Sequence, residues 1–428
     1  MLGKCLALFT CIANVIWRNI LLDNFVWGTK VVTTFLYDDF GALTNETVVG
    51  VAGTNTIERY YDSVGRSLGY ALNGVRQSTL AYDPATGRLA SMFAAGSDRP
   101  FTWNYLAGSN LKSSLAYPNG LTASWQYDAN NQLLQVKNAF PTNVISQYDY
   151  TYDTAGRRVT ITRSGSAMSE TRTDEYGYNI RGELISAAKN AEDAKVIEYQ
   201  YAYDDIGNRI SSYDIGTNRI YTANNLNQYT QISNLCDSAS LREEFIPQFD
   251  DDGNQTLIKT ATGIWQVQYN GENRPIRWQC VSTNSLIPSL ISMSYDRMGR
   301  RVAKNDRRFV YDGYLQIFTF AFAMTNSQPA TLSAQLFTWD PTEPVATRTL
   351  VWNRGASATY YTYDGNKNVS DVVSFIDASS VLHYKYGPFG DHESQVGESS
   401  LQKMGKLQSL FSLTKAVIYG NLRGIGKQ

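Results

Sequence analysis

Several residues in this sequence are of types and spacings that could do chemistry. Carboxylates recur at turns: Asp153, Asp204 and Asp296 each follow a tyrosine and precede a glycine by three residues. An isolated pair of such groups could act as general acid and base, and a cluster could hold calcium. Their repetition, one per unit, points elsewhere, because catalysis needs one special geometry. Calcium-binding β-helices carry a denser glycine–aspartate pattern than this. The carboxylates are therefore read as turn formers. Only 2 histidines occur, His383 and His392, and neither stands in a nucleophile motif. No Gly-x-Ser-x-Gly, phosphate loop or dinucleotide fingerprint is present. The 4 cysteines, Cys5, Cys11, Cys236 and Cys280, lack a C-x-x-C spacing, so a zinc or thioredoxin-like site is excluded. A Cys236–Cys280 disulfide and two unpaired small hydrophobes remain open alternatives. No catalytic, cofactor or metal residue is assigned.

The rest of the composition describes what must position these groups. The 428 residues carry 38 Lys+Arg against 39 Asp+Glu, a net charge of −1. That balance excludes the basic surface that nucleic acid demands. Hydrophobic residues make up 43%, enough for a core. The 29 Tyr and 32 Gly are a composition of strands and tight turns. Leu2 to Trp17 is mostly apolar with Lys4 near its start, like a signal-peptide core, but no clean cleavage site follows. The run is shorter than the ~20 residues that span a bilayer. Residues 1–34 are thus atypical, signal-like or an arbitrary start upstream of a truncated repeat.

From residue 35 the chain is a degenerate repeat. Tyr-Asp followed by Gly recurs as Tyr61-Asp62 with Gly65, Tyr152-Asp153 with Gly156, Tyr203-Asp204 with Gly207, and Tyr295-Asp296 with Gly299. Tyr37-Asp38 with Gly41 is a further copy, and looser ones begin at Tyr82, Tyr127, Tyr178, Phe249 and Tyr269. Consecutive copies are mostly roughly 20 to 26 residues apart. Tyr suits a strand end, with its ring packed and its hydroxyl reaching water. Asp accepts backbone N–H groups two or three residues on, and Gly supplies the positive φ that closes the loop. Arg157, Arg158, Arg300 and Arg301 are expected to pair with turn carboxylates. Between turns the chain alternates, as in Glu198-Tyr199-Gln200-Tyr201-Ala202-Tyr203. Each unit is a β-hairpin too small to stand alone, and edge-to-edge stacking makes a continuous sheet. Two stretches interrupt the motif, Leu235 to Arg242 and Thr319 to Leu336, the latter with a lengthened loop around Asn326 to Ala330.

This pattern resembles the RHS/YD-repeat family from about Tyr37 to Gly390. The most specific part is Tyr363-Asp364-Gly365 with Asn368-Val369, followed by Tyr384-Lys385-Tyr386-Gly387-Pro388-Phe389-Gly390. That succession is similar to the RHS repeat-associated core, YDGxGNV, a turn, then YxYDPFG. The core motif residues are Tyr363, Asp364, Gly365, Asn368, Val369, Tyr386, Pro388, Phe389 and Gly390. The resemblance implies an all-β fold in which YD hairpins form a spiralling sheet, part of a hollow shell or cocoon. It divides the chain into an array over 35–305, a core over 306–390 and a divergent tail over 391–428. In bacteria such shells commonly enclose a toxic C-terminal domain, and surface relatives mediate adhesion or carbohydrate contact.

Departures from the family shape the functional expectation. The aspartate usual before Pro-Phe-Gly is Gly387 here, and no later Asp-Pro-x-Gly follows. The only Asp-Pro pairs, Asp83-Pro84 and Asp340-Pro341, lie inside the repeats. Self-cleavage is therefore expected to be missing and the pattern truncated at its C-terminal end. In the tail, Leu401, Met404, Leu407 and Leu410 recur every third residue, a spacing that allows a short amphipathic helix. The expectation is a structural, encapsulating shell segment of a secreted or surface protein, without catalytic activity of its own. Its partners would be adjoining repeats or an enclosed toxin domain, with no nucleic acid and no membrane span. The alternatives are a carbohydrate- or cell-surface-binding module and, last, a self-cleaving core. A sugar platform would need exposed aromatics among Trp103, Trp125, Trp265, Trp278, Trp339 and Trp352; inter-repeat packing would bury them.

Overall fold

The computed structural model describes residues 22–26, 29–50, 53–191, 194–235, 244–260, 263–282, 290–325, 328–343, 348–355, 357–375, 380–390 and 392–397. The signal-like run, Cys5, Cys11, Cys236 and the helix-compatible tail lie outside them. All regular structure among the described residues is β. Strands pair antiparallel with their neighbours in chain order, as a chain of successive hairpins must. No helix there is long and apolar enough to cross a membrane.

The chain divides into two compact units. The first combines Met1–Gly120 with Met293–Tyr360, and the second combines Leu121–Ser292 with Tyr361–Gln428. In the first, the ladder runs through Thr29–Tyr37, Leu43–Gly50, Gly53–Tyr61 and Ser67–Leu72. Its buried core joins Ile57 and Leu72 to Val310, Ile317 and Phe320. Phe101, Tyr117 and Tyr360 add a group of edge-to-face rings 5.2 to 5.7 Å apart. In the second, the ladder runs from Thr122–Tyr127 to Tyr229–Leu235, and Ala187, Tyr199 and Tyr201 form a core cluster. Burying side chains of this size stabilises by about 1.5–3 kcal/mol each.

Alternation explains most strands. Along Thr122–Tyr127, Ala123 and Trp125 are buried while their neighbours are not. Val369–Ser374 departs from it, because Ser370, Asp371, Val372 and Val373 are all buried. Both faces of that strand are covered, so polar side chains on it need partners inside the protein. Of the loop expected around Asn326 to Ala330, Gln328 to Ala330 are paired strand, and Asn326 and Ser327 lie outside the described residues. Leu315–Thr325 and Gln328–Trp339 form one long hairpin whose pairing reaches Thr325 opposite Gln328. The alternating run from Phe318 favours continued pairing over a loop.

A register shift marks every complete motif. Tyr61 lies opposite Ser67, Tyr152 opposite Arg158, Tyr203 opposite Arg209 and Tyr295 opposite Arg301. In each case the shift falls just before the tyrosine. Such bulges increase local twist, so the motif sets curvature once per repeat.

Candidate functional site

The motif builds the same turn each time. Asp62 Oδ1 accepts from Val64 N at 3.0 Å and Arg66 N at 2.8 Å, and Oδ2 accepts from Arg66 Nε at 2.7 Å. Asp153 does the same with Ala155, Arg157 and the Arg157 guanidinium. Asp204 uses Ile206, Asn208 and the Asn208 amide, and Asp296 uses Met298, Arg300 and the Arg300 guanidinium. Gly65, Gly156, Gly207 and Gly299 close the turns at φ of 81°, 76°, 91° and 78°. Asn131, Asn227 and Asn273 take that conformation in the looser copies.

These bonds set the charge of the turn. Backbone N–H of Arg157 and its guanidinium hold the Asp153 carboxyl below its usual range, and the Thr86 amide does so for Asp83. For Asp62 and Asp204, desolvation works upward but is outweighed by the bonds from Arg66 and Asn208. Both oxygens of Asp62, Asp153, Asp204 and Asp296 are engaged by their own turn. Among the described residues no cluster of His, Cys, Asp and Glu could hold a metal ion.

The tyrosine hydroxyl does not simply reach water, as the sequence suggested. It donates to a carbonyl at the start of an earlier return strand. In the first unit Tyr61 bonds Leu43 O at 3.0 Å, Tyr82 bonds Ser67 O at 2.9 Å, and Tyr105 bonds Leu89 O at 3.0 Å. In the second, Tyr152 bonds Leu133 O at 2.6 Å, Tyr178 bonds Arg158 O at 2.7 Å, and Tyr203 bonds Leu184 O at 3.0 Å. A strand opening has one carbonyl that the shifted register leaves without a ladder partner, and the next tyrosine satisfies it. The turn arginine then covers the next tyrosine's ring: Arg66 lies 4.5 Å from Tyr82 and Arg157 lies 4.9 Å from Tyr178. Arg157 and Arg300 pair with carboxylates as expected, while Arg158 stacks on Tyr150 and Arg301 lies over Phe309.

Later turns seat on earlier strands within each unit. In the first unit, Arg59 bonds both Glu46 and Asp312, at 2.8 and 2.6 Å, and Arg300 also reaches Glu46 at 3.1 Å. Lys112 bonds Asp340, Thr342 and Glu343. Asp340 is therefore a buried, ion-paired turn residue, with Pro341 exposed beside it. In the second unit, Gly365 N donates to Tyr150 Oη at 2.7 Å, and Arg158 bonds Asn366 at 2.5 Å. A side chain at Gly365 would place its Cβ 2.7 Å from Tyr150 Oη and 2.9 Å from Leu133 Cδ2. Phe389 meets Tyr201 edge-on at 5.0 Å, with Arg209 4.8 Å from its ring. The core motif is thus a set of docking turns. Asn368 caps Asp364 from the far side at 3.0 Å, Tyr363 is buried, and Gly390 closes the last turn at φ 81°. Burial pushes the Asp364 carboxyl up, opposite to the surface turns, although Asn368 and Asn366 donate to it.

One polar cluster escaped the sequence reading. Asp371, wholly buried, accepts from Ser146 Oγ at 2.6 Å and Thr362 Oγ1 at 2.8 Å, and pairs with His383 Nδ1 at 2.8 Å. Asn138 and Ser370, also buried, complete it. The residue types are those of a hydrolase, but the order is not. Ser146 bonds the carboxylate rather than the imidazole, so the serine–imidazole contact of a hydrolase triad is not formed. The cluster is a bolt between strands far apart in sequence. A sequence signal for it was Asn138 on one strand face between Val136 and Phe140.

The tryptophans do not form an exposed row. Trp103, Trp125, Trp265 and Trp352 are buried, and Trp278 and Trp339 are half-buried. Cys280 is half-buried beside the Ser282 hydroxyl, 3.4 Å away.

These features define a class: an all-β protein of stacked YD hairpins with docking turns at its C-terminal core. No protein-family model matches the sequence, and no curated protein matches it. Solved structures do. The crystal structure of TcdB2-TccC3 without its hypervariable C-terminal region matches with a TM-score of 0.60 at 13% identity, over 86% of this chain and 20% of that one. The Photorhabdus luminescens Tc holotoxin pore with a mutated TccC3 gives a TM-score of 0.55 at 13% identity, with the same coverage. The chain therefore spans about one-fifth of the length of those chains. The fold is of the RHS/YD-repeat shell type.

Proposed function

We propose that this chain is a wall segment of an encapsulating RHS-type shell of a secreted, toxin-related assembly, acting as structure and not as a catalyst. The observation that carries this reading is the repeat-to-repeat tie: turns are closed by their own Asp or Asn side chain, and Tyr61, Tyr82, Tyr105, Tyr152, Tyr178 and Tyr203 fasten a turn to an earlier strand by the hydroxyl. Such a wall extends by adding repeats, and its natural partners are further YD repeats and whatever they enclose. The engagement of the turn carboxylates and the arrangement around Asp371 support a non-catalytic role. The buried tryptophans weigh against a sugar-binding platform.

The test is the intact mass of the purified chain over days, with light scattering alongside. An unchanged mass, with association through sheet edges, is expected. A discrete fragment would overturn the non-catalytic reading. A monomer at all concentrations would overturn the dependence on adjoining repeats.

A further inference from the structure

One hairpin of the first unit carries cations without a counter-charge among the described residues. Arg301–Lys304 and Arg307–Asp312 are joined by the exposed turn Asn305-Asp306, with Asn305 at φ 51°. The turn fixes the register, so Lys304 stands directly opposite Arg307. Residues opposed in this way point to the same face of the sheet, with Cβ atoms ~5 Å apart. An ammonium and a guanidinium are thus held side by side, and both residues are half-buried. Like charges opposed across a ladder destabilise it.

Elsewhere in this unit a carboxylate meets such a cation, as at Arg59, Lys112 and Arg300. None reaches this pair. Among the described residues neither side chain makes an ion pair or a hydrogen bond. The charged groups acting on Lys304 are Arg301, on its own strand, and Arg307, and both are cations. The row across the sheet is otherwise uncharged: Met293 lies opposite Lys304 on one side, and Ala321 and then Ser333 follow Arg307 on the other. The sequence explains the lack. No Asp or Glu stands between Glu272 and Asp296, and no charged residue stands between Asp312 and Asp340. The acidic residue at the hairpin tip, Asp306, acts on Arg308. Arg308 belongs to the opposite face and folds back onto the carbonyls of Asn305 and Arg307, at 2.9 and 3.0 Å.

We infer that Lys304 and Arg307 form an oxyanion site that takes a phosphate-type dianion, free or as a phosphomonoester. Two cations match the charge of a dianion. The guanidinium fork holds two of its oxygens, and the ammonium holds a third as a point charge. Arg301 adds attraction at longer range. Burial and the two arginines lower Lys304 to about 8, so a bound anion also restores the proton that this environment disfavours. With two contacting cations on a half-open face, the dissociation constant is on the order of 1 mM.

Thermal unfolding of the full chain in inorganic phosphate, against sodium chloride at matched ionic strength, tests this. Phosphate is expected to raise Tm by a few degrees and chloride is not. Lys304→Met is expected to abolish the phosphate-specific rise, and Arg307→Gln to weaken the apparent affinity about tenfold. The quantity read is the shift on adding the anion, so a change in basal stability does not obscure it. Wild-type affinity is expected to fall from about pH 7.5 to about pH 9 as Lys304 loses its proton, and Lys304→Arg to hold its affinity over that range. Glucose 6-phosphate alongside separates the sources: an equal rise assigns the site to phosphomonoesters, and a rise with inorganic phosphate alone assigns it to the free ion. No difference between phosphate and chloride, or a Lys304→Met variant that responds as the wild type does, would overturn the inference. Either result leaves the shell reading, which the intact mass tests, standing.

Discussion

At the scale of single residues, the tyrosine hydroxyl supplies the tie between repeats. Tyr152→Phe keeps the ring and removes the bond to Leu133 O. We expect a loss of about 1 kcal/mol, read by urea unfolding, with no change in the spectrum of the folded protein. Gly365 is constrained by its neighbours rather than by its backbone. Gly365→Ala pushes a methyl group against Tyr150 and Leu133, with an expected cost of about 1–3 kcal/mol. Asp371→Asn keeps the shape but gives Ser146, Thr362 and His383 a poorer acceptor. The expected cost is about 2–4 kcal/mol, and a gain of any hydrolytic activity is not expected. Unchanged stability would show that the bolt is idle.

At the scale of elements, the turns couple the fold to pH, and the sign differs between array and core. Asp62, Asp83, Asp153 and Asp204 are held low in the fold. Their contribution is present above the ordinary carboxylate range and is lost as pH falls through their lowered values. Asp364 is held high, so the fold binds its proton more readily than the unfolded chain, and stability falls as pH rises through that window. Acid unfolding is therefore expected to be steep, and Asp364→Asn to flatten only the part above the ordinary carboxylate value. Chemical denaturation along a pH series separates the two. The strand Arg301–Lys304 adds an alkaline limb. Burial, with Arg301 and Arg307 nearby, lowers Lys304 to about 8. The unfolded chain keeps that proton longer, so stability is expected to rise as pH passes from about 8 toward the ordinary lysine range. Lys304→Met should remove the rise and stabilise the protein at neutral pH.

At the scale of the whole molecule, strands pair with their sequence neighbours, so each added hairpin extends an existing edge. His392–Gly397 is the last strand of its ladder among the described residues, opposite Ser380–Tyr386. A blocking substitution there, Ser394→Pro, is expected to reduce association through that edge without unfolding the array. Size-exclusion chromatography with light scattering reads it, and unchanged association would place the contact elsewhere.

The alternating tyrosines and the Asp–Gly turns determined the strands, the hairpins and the β class. These depend on residues within a few positions of one another, which is why the sequence displays them. The reading of Asp153, Asp204 and Asp296 as turn formers rested on the same local rule and agrees with the geometry. The destination of the Tyr152 hydroxyl, the seat of Gly365 on Tyr150 and the bolt around Asp371 needed tertiary structure. Each joins groups from separate repeats, and nothing within one repeat specifies which neighbour it will meet. Gln328 to Ala330 show the converse: pairing with a partner strand outweighed a weak local loop signal.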